Sequence, residues 1–101
     1  MADDTVTSKN GIPIRLPDER WSHISEEHGE LEEMRSEVLE TVAQAGRILA
    51  GGAGEFLAVR EIEVGKWLVV VYRELDGDGF IITAFLTRRI RSLNRRKQLW
   101  P

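Results

Sequence analysis

Two apolar runs separated by a short polar turn dominate the pattern of the chain. The first run is centred on residues 69–71 and the second on residues 80–85, and both are rich in β-branched and aromatic side chains. Such residues favour the pleated, packed surface of a sheet. Between them, residues 76–79 read Asp-Gly-Asp-Gly, a composition typical of tight turns. The stretch 66–86 therefore predicts a β-hairpin at the centre of a sheet.

Ahead of the hairpin, apolar residues first recur at helical spacing. Residues 18–29 predict a helix with acidic residues in its first turn and with Trp21, Ile24 and His28 on one stripe. Residues 30–45 predict a second helix, which has an apolar stripe and an acidic face.

Strands are predicted on both sides of these helices. Residues 47–50 and 55–63 have the alternation of strands and lead into the hairpin. Residues 11–16 contain a proline and predict a short edge strand or an extended lead-in. Residues 1–10 are polar and aperiodic, and we expect a disordered tail ahead of a single domain spanning 11–101.

The order of the elements predicts an α+β fold. N-terminal helices would pack on a four-stranded antiparallel β-meander, because runs of helices followed by runs of strands are typical of this class. After Thr87, the spacing of Ile90, Leu93 and Trp100 predicts a short C-terminal helix.

Composition narrows the classes of protein to consider. The 101 residues suffice for one domain with a modest core. Cysteine is absent, so neither a disulfide framework nor a thiolate metal site can form. No apolar run approaches the ~20 residues of a membrane span, and the start lacks a signal-peptide pattern. We expect a cytoplasmic domain with no membrane partner.

Charge is distributed unevenly along the chain. The net charge is −3, yet residues 1–40 carry 11 acidic and 4 basic side chains, whereas residues 41–101 carry 6 and 10. The late arginines are not interrupted by any acid; they are Arg88, Arg89, Arg91, Arg95 and Arg96. Such a cluster attracts phosphate groups, although a solvated helix face would have the same composition.

Polar side chains interrupt one face of the predicted sheet. One choice of alternation sends Leu57 and Val59 toward the helices and gathers Arg60, Arg73 and Thr83 on the opposite face. Two guanidiniums and a hydroxyl on an otherwise apolar sheet face can form a concave phosphate site. The alternative is that both arginines pair with nearby acids.

The two histidines do not form a metal site. His23 and His28 are five residues apart, which turns their rings about 140° from each other on a helix, whereas a shared metal needs i, i+4 spacing. We expect no metal and no cofactor. His28 ends the apolar stripe of the first helix beside the sheet, where a titratable ring is a candidate for general acid–base chemistry.

Four short segments carry a resemblance to a known family. They read LPDERWSHISEEH, FLAVRE, KWLVVVYREL and GFIITAFLTRRI. Together they resemble the phage-type branch of the barnase/EndoU/colicin/RelE-like (BECR-fold) nuclease superfamily, over residues 12–90. The resemblance implies one or two helices followed by a four-stranded antiparallel sheet. It also implies a small metal-independent ribonuclease, of the toxin or phage-associated effector type.

In the chemistry that this resemblance implies, the RNA 2′-hydroxyl attacks the phosphate while a base, an acid and cations assist. His28 matches the helix histidine and would be the acid or base. Arg60 and Arg73 match the cationic strand positions and would hold the scissile phosphate, which Thr83 would orient. One departure is Gly29, which directly follows His28 where the family has a proline.

RNA is the partner that this reading predicts. Weaker RNA contacts are expected from Lys66, which lies at a turn, and from the C-terminal arginines. The alternative is a non-catalytic protein- or RNA-binding module of the same fold. Its acidic helix or basic segment would then bind an antitoxin-like protein, another protein or a second copy in a homodimer.

Overall fold

A computed structural model describes residues 4–101. Its helices are α1 (Asp18–Glu27), α2 (Arg35–Ala43) and α3 (Ile90–Asn94), with a 3-10 turn over Gly29–Leu31. Its strands are β1 (Asp4–Thr7), β2 (Pro13–Leu16), β3 (Arg47–Ala50), β4 (Phe56–Glu63), β5 (Lys66–Leu75), β6 (Asp78–Thr87) and β7 (Gln98–Trp100). None of the helices in this part of the chain is both long and apolar enough to span a membrane.

The predicted four-stranded antiparallel meander with helices ahead of it is wrong. The sheet has seven strands in the order β1-β2-β6-β5-β4-β3-β7. It is mixed, because β2 runs parallel to β6 while the other neighbours are antiparallel. Strands β1 and β2 precede the helices, and β7 extends the opposite edge. The fold is α+β, but the antiparallel ladder from β3 to β6 is only its middle.

Strand β1 occupies part of the stretch 1–10 for which the sequence predicts a disordered tail. Residues 1–3 lie outside the described residues, and from Asp4 onward the chain pairs with β2. The Arg35 guanidinium of α2 lies 2.9 Å from the Asp4 carboxylate. Val6 is the single apolar residue of this strand, so contacts with other elements, and not a hydrophobic pattern, stabilise it.

The C-terminal segment also differs from the predicted helix. It forms the five residues of α3 and then β7, which pairs with β3. Leu93 packs with one apolar cluster of the sheet, whereas Trp100 packs with the other. One continuous helix could not reach both clusters, which explains why the segment turns and becomes a strand.

The sheet separates these two clusters. On the helix face, side chains of α1 and α2 pack against β5 and β6; the fully buried residues of those two strands are Leu68, Val70, Tyr72, Ile81 and Ala84. The other side, which we call the second face, lies under α3. Its buried residues are Leu49, Leu57, Val59, Val69 and Leu93.

Strand β4 has the opposite phase from the one predicted. Leu57 and Val59 lie on the second face, and Ala58 lies on the helix face. Arg60 stands opposite Leu68 in the β4–β5 pairing, so it too lies on the helix face. Both alternating sets of β4 contain apolar residues, so the period alone could not determine which set faces the helices.

The hydroxyl of Tyr72 is buried on the helix face and has no hydrogen-bond partner within residues 4–101. Burial raises the pKa of this phenol well above its ordinary value of 10.0, and the nearby Glu74 carboxylate raises it further. Tyr72→Phe removes the unpaired polar group and leaves the ring. We expect the free energy of unfolding at pH 7 to rise by about 1 kcal/mol in urea titrations.

The same substitution should reduce sensitivity to alkali. Because the folded state disfavours the ionised phenol, the unfolded chain ionises first, and stability falls as the pH rises from the unfolded pKa of about 10 toward the higher folded pKa. Tyr72 is the only tyrosine, so absorbance near 295 nm follows its ionisation alone. A Phe variant that is less stable at pH 7, or equally sensitive above pH 10, would contradict this description of the hydroxyl.

Candidate nucleic-acid interface

His28 is positioned by the end of α1. Its backbone N–H donates a 2.8 Å hydrogen bond to the carbonyl of Ile24, which is itself buried on the helix face. The ring lies against Phe85 of β6, with centroids 6.5 Å apart and planes tilted by 39°. The side chain is 33% exposed, and Glu30 Oε2 lies 3.9 Å from its Nδ1. His28 thus presents an accessible ring with a carboxylate neighbour.

His28 can contact Phe85 because the neighbouring strand β2 covers only the start of β6. Strand β2 pairs with Gly79 and Phe80, and within residues 4–101 the rest of β6 has no strand on that side. Phe85 pairs with Val69 and packs with the cluster of the second face. His28 therefore contacts the second face from the edge of the sheet.

Thr83 lies on the same face, opposite Val71 of β5. Since side chains alternate along a strand, Thr83, Phe85 and Thr87 form one row along β6. The hydroxyl of Thr87 accepts a 3.0 Å hydrogen bond from the backbone N–H of Arg89. Two of the sequence-predicted residues thus lie near Phe85: His28 contacts its ring, and Thr83 precedes it in the same row of β6.

Arg73 lies on the second face but farther along the sheet. It stands opposite Phe80 and lies four positions along β5 from Val69, a distance of roughly 13 Å at 3.3 Å per residue. Its guanidinium extends toward the β3–β4 turn, where Nη1 is 3.5 Å from the position of a Cβ on Gly54. His28 and Arg73 consequently do not meet in one phosphate-sized volume.

Glu55 is the carboxylate neighbour of this arginine. Hydrogen bonds from the backbone N–H groups of Glu55 and Ala53 hold the pKa of Glu55 below its ordinary value, and the charges of Arg73 and Arg96 lower it further. The carboxylate is therefore ionised at neutral pH. Arg73 nevertheless forms no ion pair with a carboxylate among residues 4–101.

Arg60 is not part of this surface, although the sequence places it there. On the helix face its Nε donates a 3.1 Å hydrogen bond to the Thr41 hydroxyl, and Nη2 donates to the Glu37 carbonyl at 3.4 Å. Nη1 lies 3.3 Å from the Glu40 carboxylate. Arg60 thus fastens β4 to α2 and cannot reach a phosphate that lies on the second face.

Arg60→Met and Arg73→Met form a matched pair that tests this assignment. Arg60→Met should lower the free energy of unfolding by about 1–2 kcal/mol, because hydrogen bonds to α2 are lost, and should leave RNA affinity unchanged. Arg73→Met should weaken RNA binding with little effect on stability. Urea unfolding and fluorescence anisotropy with labelled RNA measure the two effects. Equal loss of RNA affinity in both variants would show that the assignment is wrong.

A cleft of about 160 Å³ opens between α3 and β6 on the second face. Leu57, Phe85 and Leu93 line it with apolar surface. Its polar lining comes from Thr87, Arg89, Ser92 and Arg96. Phe85 belongs both to this cleft and to the contact with His28, so the candidate acid–base group and the cleft are neighbours.

The other predicted contacts are distributed around this region. Arg88, Arg91 and Arg95 are exposed, and Lys66 is half-buried at the β4–β5 turn. By alternation Lys66 shares the side of Leu68, which is the helix face. Of the six cations given weaker roles, only Arg89 and Arg96 line the cleft.

Sequence reasoning missed Phe85, Thr87 and Ser92 as members of the site. The signal for Thr87 and Phe85 was present, since both alternate with Thr83 along β6. Ser92 gave no such signal, because its place depends on how α3 crosses the sheet.

The second histidine lies elsewhere. His23 lines a separate groove of about 260 Å³ with Pro17, Glu19 and Arg20 at the start of α1. Within residues 4–101, no three His, Asp or Glu side chains are grouped as ligands for a metal ion.

Comparison with known proteins adds no relative to this picture. No family model matches the sequence, and no curated protein or solved structure is significantly similar to the chain. The site is therefore interpreted from its own geometry.

Proposed function

We propose that this protein binds RNA across the second face and cleaves it without a metal ion. One observation carries the proposal: His28 lies against Phe85, which also lines a cleft that holds Arg89 and Arg96. A titratable ring beside guanidiniums and hydroxyls is the set of groups that phosphoryl transfer from a 2′-hydroxyl requires. The resemblance of residues 12–90 to phage-type nucleases supports the same chemistry.

In the proposed reaction the 2′-oxygen attacks the adjacent phosphorus and the bond to the 5′-oxygen breaks. The 2′-hydroxyl loses its proton and the departing 5′-oxygen gains one; His28 carries out one of these transfers and solvent water the other, and Glu30 beside the His28 Nδ1 would orient the ring. Arg89 and Arg96 stabilise the negative charge on the phosphorane oxygens, since charge-assisted hydrogen bonds from guanidinium are strong. The products are a 2′,3′-cyclic phosphate and a 5′-hydroxyl.

Arg73 has a different role in this proposal from the one that the resemblance implies. At roughly 13 Å from the Phe85 position along the sheet, it would bind a neighbouring phosphate of the same RNA strand. Arg60 has no role in RNA binding, because it pairs with α2.

The test is incubation of the purified chain with end-labelled RNA in excess chelator. We expect fragments that end in a 2′,3′-cyclic phosphate and no cleavage of an oligonucleotide with 2′-deoxyribose at every position. Arg96→Gln should slow cleavage. Uncut RNA, or cleavage of the deoxy oligonucleotide, would overturn the proposal.

A non-catalytic RNA-binding module is the second candidate. It is favoured by the ion pair of Arg60 with Glu40, which removes one of the two cations assigned to the scissile phosphate. This candidate predicts that RNA binds with an affinity that falls steeply as the salt concentration rises. The bound RNA would not be cleaved.

A further inference from the structure

The walls of the cleft between α3 and β6 are fixed in position. Leu57 of β4 and Leu93 of α3 are each only 4% exposed, and both belong to the cluster of the second face. Phe85 packs against the same cluster. Three elements thus supply an apolar floor whose side chains are held by the packing beneath them.

The rim of the cleft is rich in hydrogen-bond donors. The Thr87 hydroxyl accepts from the Arg89 backbone, so its own O–H remains free to donate. Arg96 uses Nη1 on the Ala50 carbonyl at 3.3 Å and keeps its other N–H groups. Ser92 adds a second, solvent-exposed hydroxyl. The rim therefore complements a ligand that carries acceptors and negative charge.

The size of the cleft limits what can enter it. Its volume of about 160 Å³ is well below the roughly 300–1,000 Å³ of sites that enclose a drug-sized ligand. One flat ring system fits, while a sugar and a phosphate attached to it would remain at the rim. A bare phosphate would use the guanidiniums but would leave the apolar floor unmatched.

We infer that this cleft is a subsite for one nucleobase of the RNA, an inference that rests on the proposed function for the identity of the polymer. The base packs its face on Phe85 and directs acceptor atoms toward Thr87 and Ser92. Its phosphate lies at Arg89 and Arg96. Single-stranded RNA is recognised in this way, by bases that stack on aromatic rings and bond through their edges.

The experiment compares two ligands that share a phosphate. The full chain is titrated with a nucleoside 5′-monophosphate and with ribose 5-phosphate, while amide chemical shifts are followed by NMR. We expect the nucleotide to bind about tenfold more tightly, because stacking of one base contributes that order of affinity. The shifts that move should include those of Phe85, Ser92 and Leu93.

Two variants test whether the tighter binding of the nucleotide comes from the cleft. Phe85→Leu and Ser92→Ala should each weaken nucleotide binding several-fold and leave ribose 5-phosphate binding unchanged. Ser92 is exposed, so its variant keeps the fold even if Phe85→Leu perturbs packing. Asn94→Ala, on the same short helix but outside the cleft, is the control and should bind both ligands as the wild type does.

Equal affinity for the two ligands would overturn the subsite, and so would nucleotide binding that neither Phe85→Leu nor Ser92→Ala weakens. These outcomes are separable from the failure of the proposed function. Cleaved RNA with equal affinities would reject the subsite alone, whereas base-dependent nucleotide binding with uncut RNA supports the subsite and rejects the cleavage.

Discussion

His28→Gln is expected to lower the rate of RNA cleavage by about 10²–10⁴-fold, the usual contribution of a positioned proton-transfer group. Glutamine keeps a polar side chain of similar reach against Phe85 but cannot take up and release a proton as an imidazole does. Single-turnover cleavage of end-labelled RNA in chelator measures the effect. Because the proposed phosphate contacts come from Arg89 and Arg96, RNA affinity by anisotropy should change little.

His23→Gln is the matched control for this substitution. His23 lies on α1, and His28 caps the C-terminal end of the same helix. His23, however, lines the groove beside Pro17, Glu19 and Arg20. We expect its cleavage rate to equal that of the wild type. If His28→Gln cleaves as fast as His23→Gln, His28 has no catalytic role. If both variants lose RNA binding together, the effect lies in the fold of α1, which thermal unfolding would reveal.

The central hairpin was predictable because its information is local. The runs around residues 69–71 and 80–85 are β-branched and aromatic on both sides of a turn, and Gly77 in that turn has a φ of +70°. The structure confirms the hairpin as β5 and β6, joined by nine paired positions. In this hairpin, the local β-propensity of the residues and the tertiary structure agree.

The edge strands were not predictable in the same way. β1, β2 and β7 have three or four residues each, too few to show a period. The loop after β1 is held by Ser8 and Asn10, whose side chains donate hydrogen bonds to the Glu74 carboxylate on β5. Such anchors join residues far apart in sequence. Local propensity contains no information about them.

The candidate site was predictable in part. His28 and Thr83 were assigned to the surface where the structure places them, because one ends a clear helical stripe and the other interrupts a clear strand. Arg60 was misplaced because β4 is apolar on both alternating sets, and the decisive contact, with Thr41 and Glu40, lies on another element. The cleft depends on where α3 crosses the sheet, and the spacing of residues in the sequence does not predict that position.

Gly79→Ala is expected to lower the free energy of unfolding by about 1–3 kcal/mol through overpacking. Gly79 is buried in β6 at the point where β2 joins the sheet and pairs with Ile14. A Cβ there would clash with the Arg73 carbonyl of β5 and would lie 2.6 Å from Ile14 Cδ1. A backbone carbonyl in a paired strand cannot move away as a flexible side chain can. Ile14 is fully buried, so it also has no space into which to turn.

Gly52→Ala tests whether the loss comes from this crowding. Gly52 lies in the β3–β4 turn with nothing within 4 Å of its Cβ position and no positive φ. Alanine there should be neutral or stabilise by about 0.4–1 kcal/mol, since it restricts the unfolded chain. The same entropic gain accompanies Gly79→Ala, so the crowding must exceed it. Urea unfolding gives both energies, and hydrogen exchange should show the loss concentrated in β1 and β2, whose strand pairing with the rest of the sheet within residues 4–101 runs through this junction alone. Two variants of equal stability would mean that Ile14 and β5 relax around the added methyl group, and that the parallel junction does not determine how β2 is held.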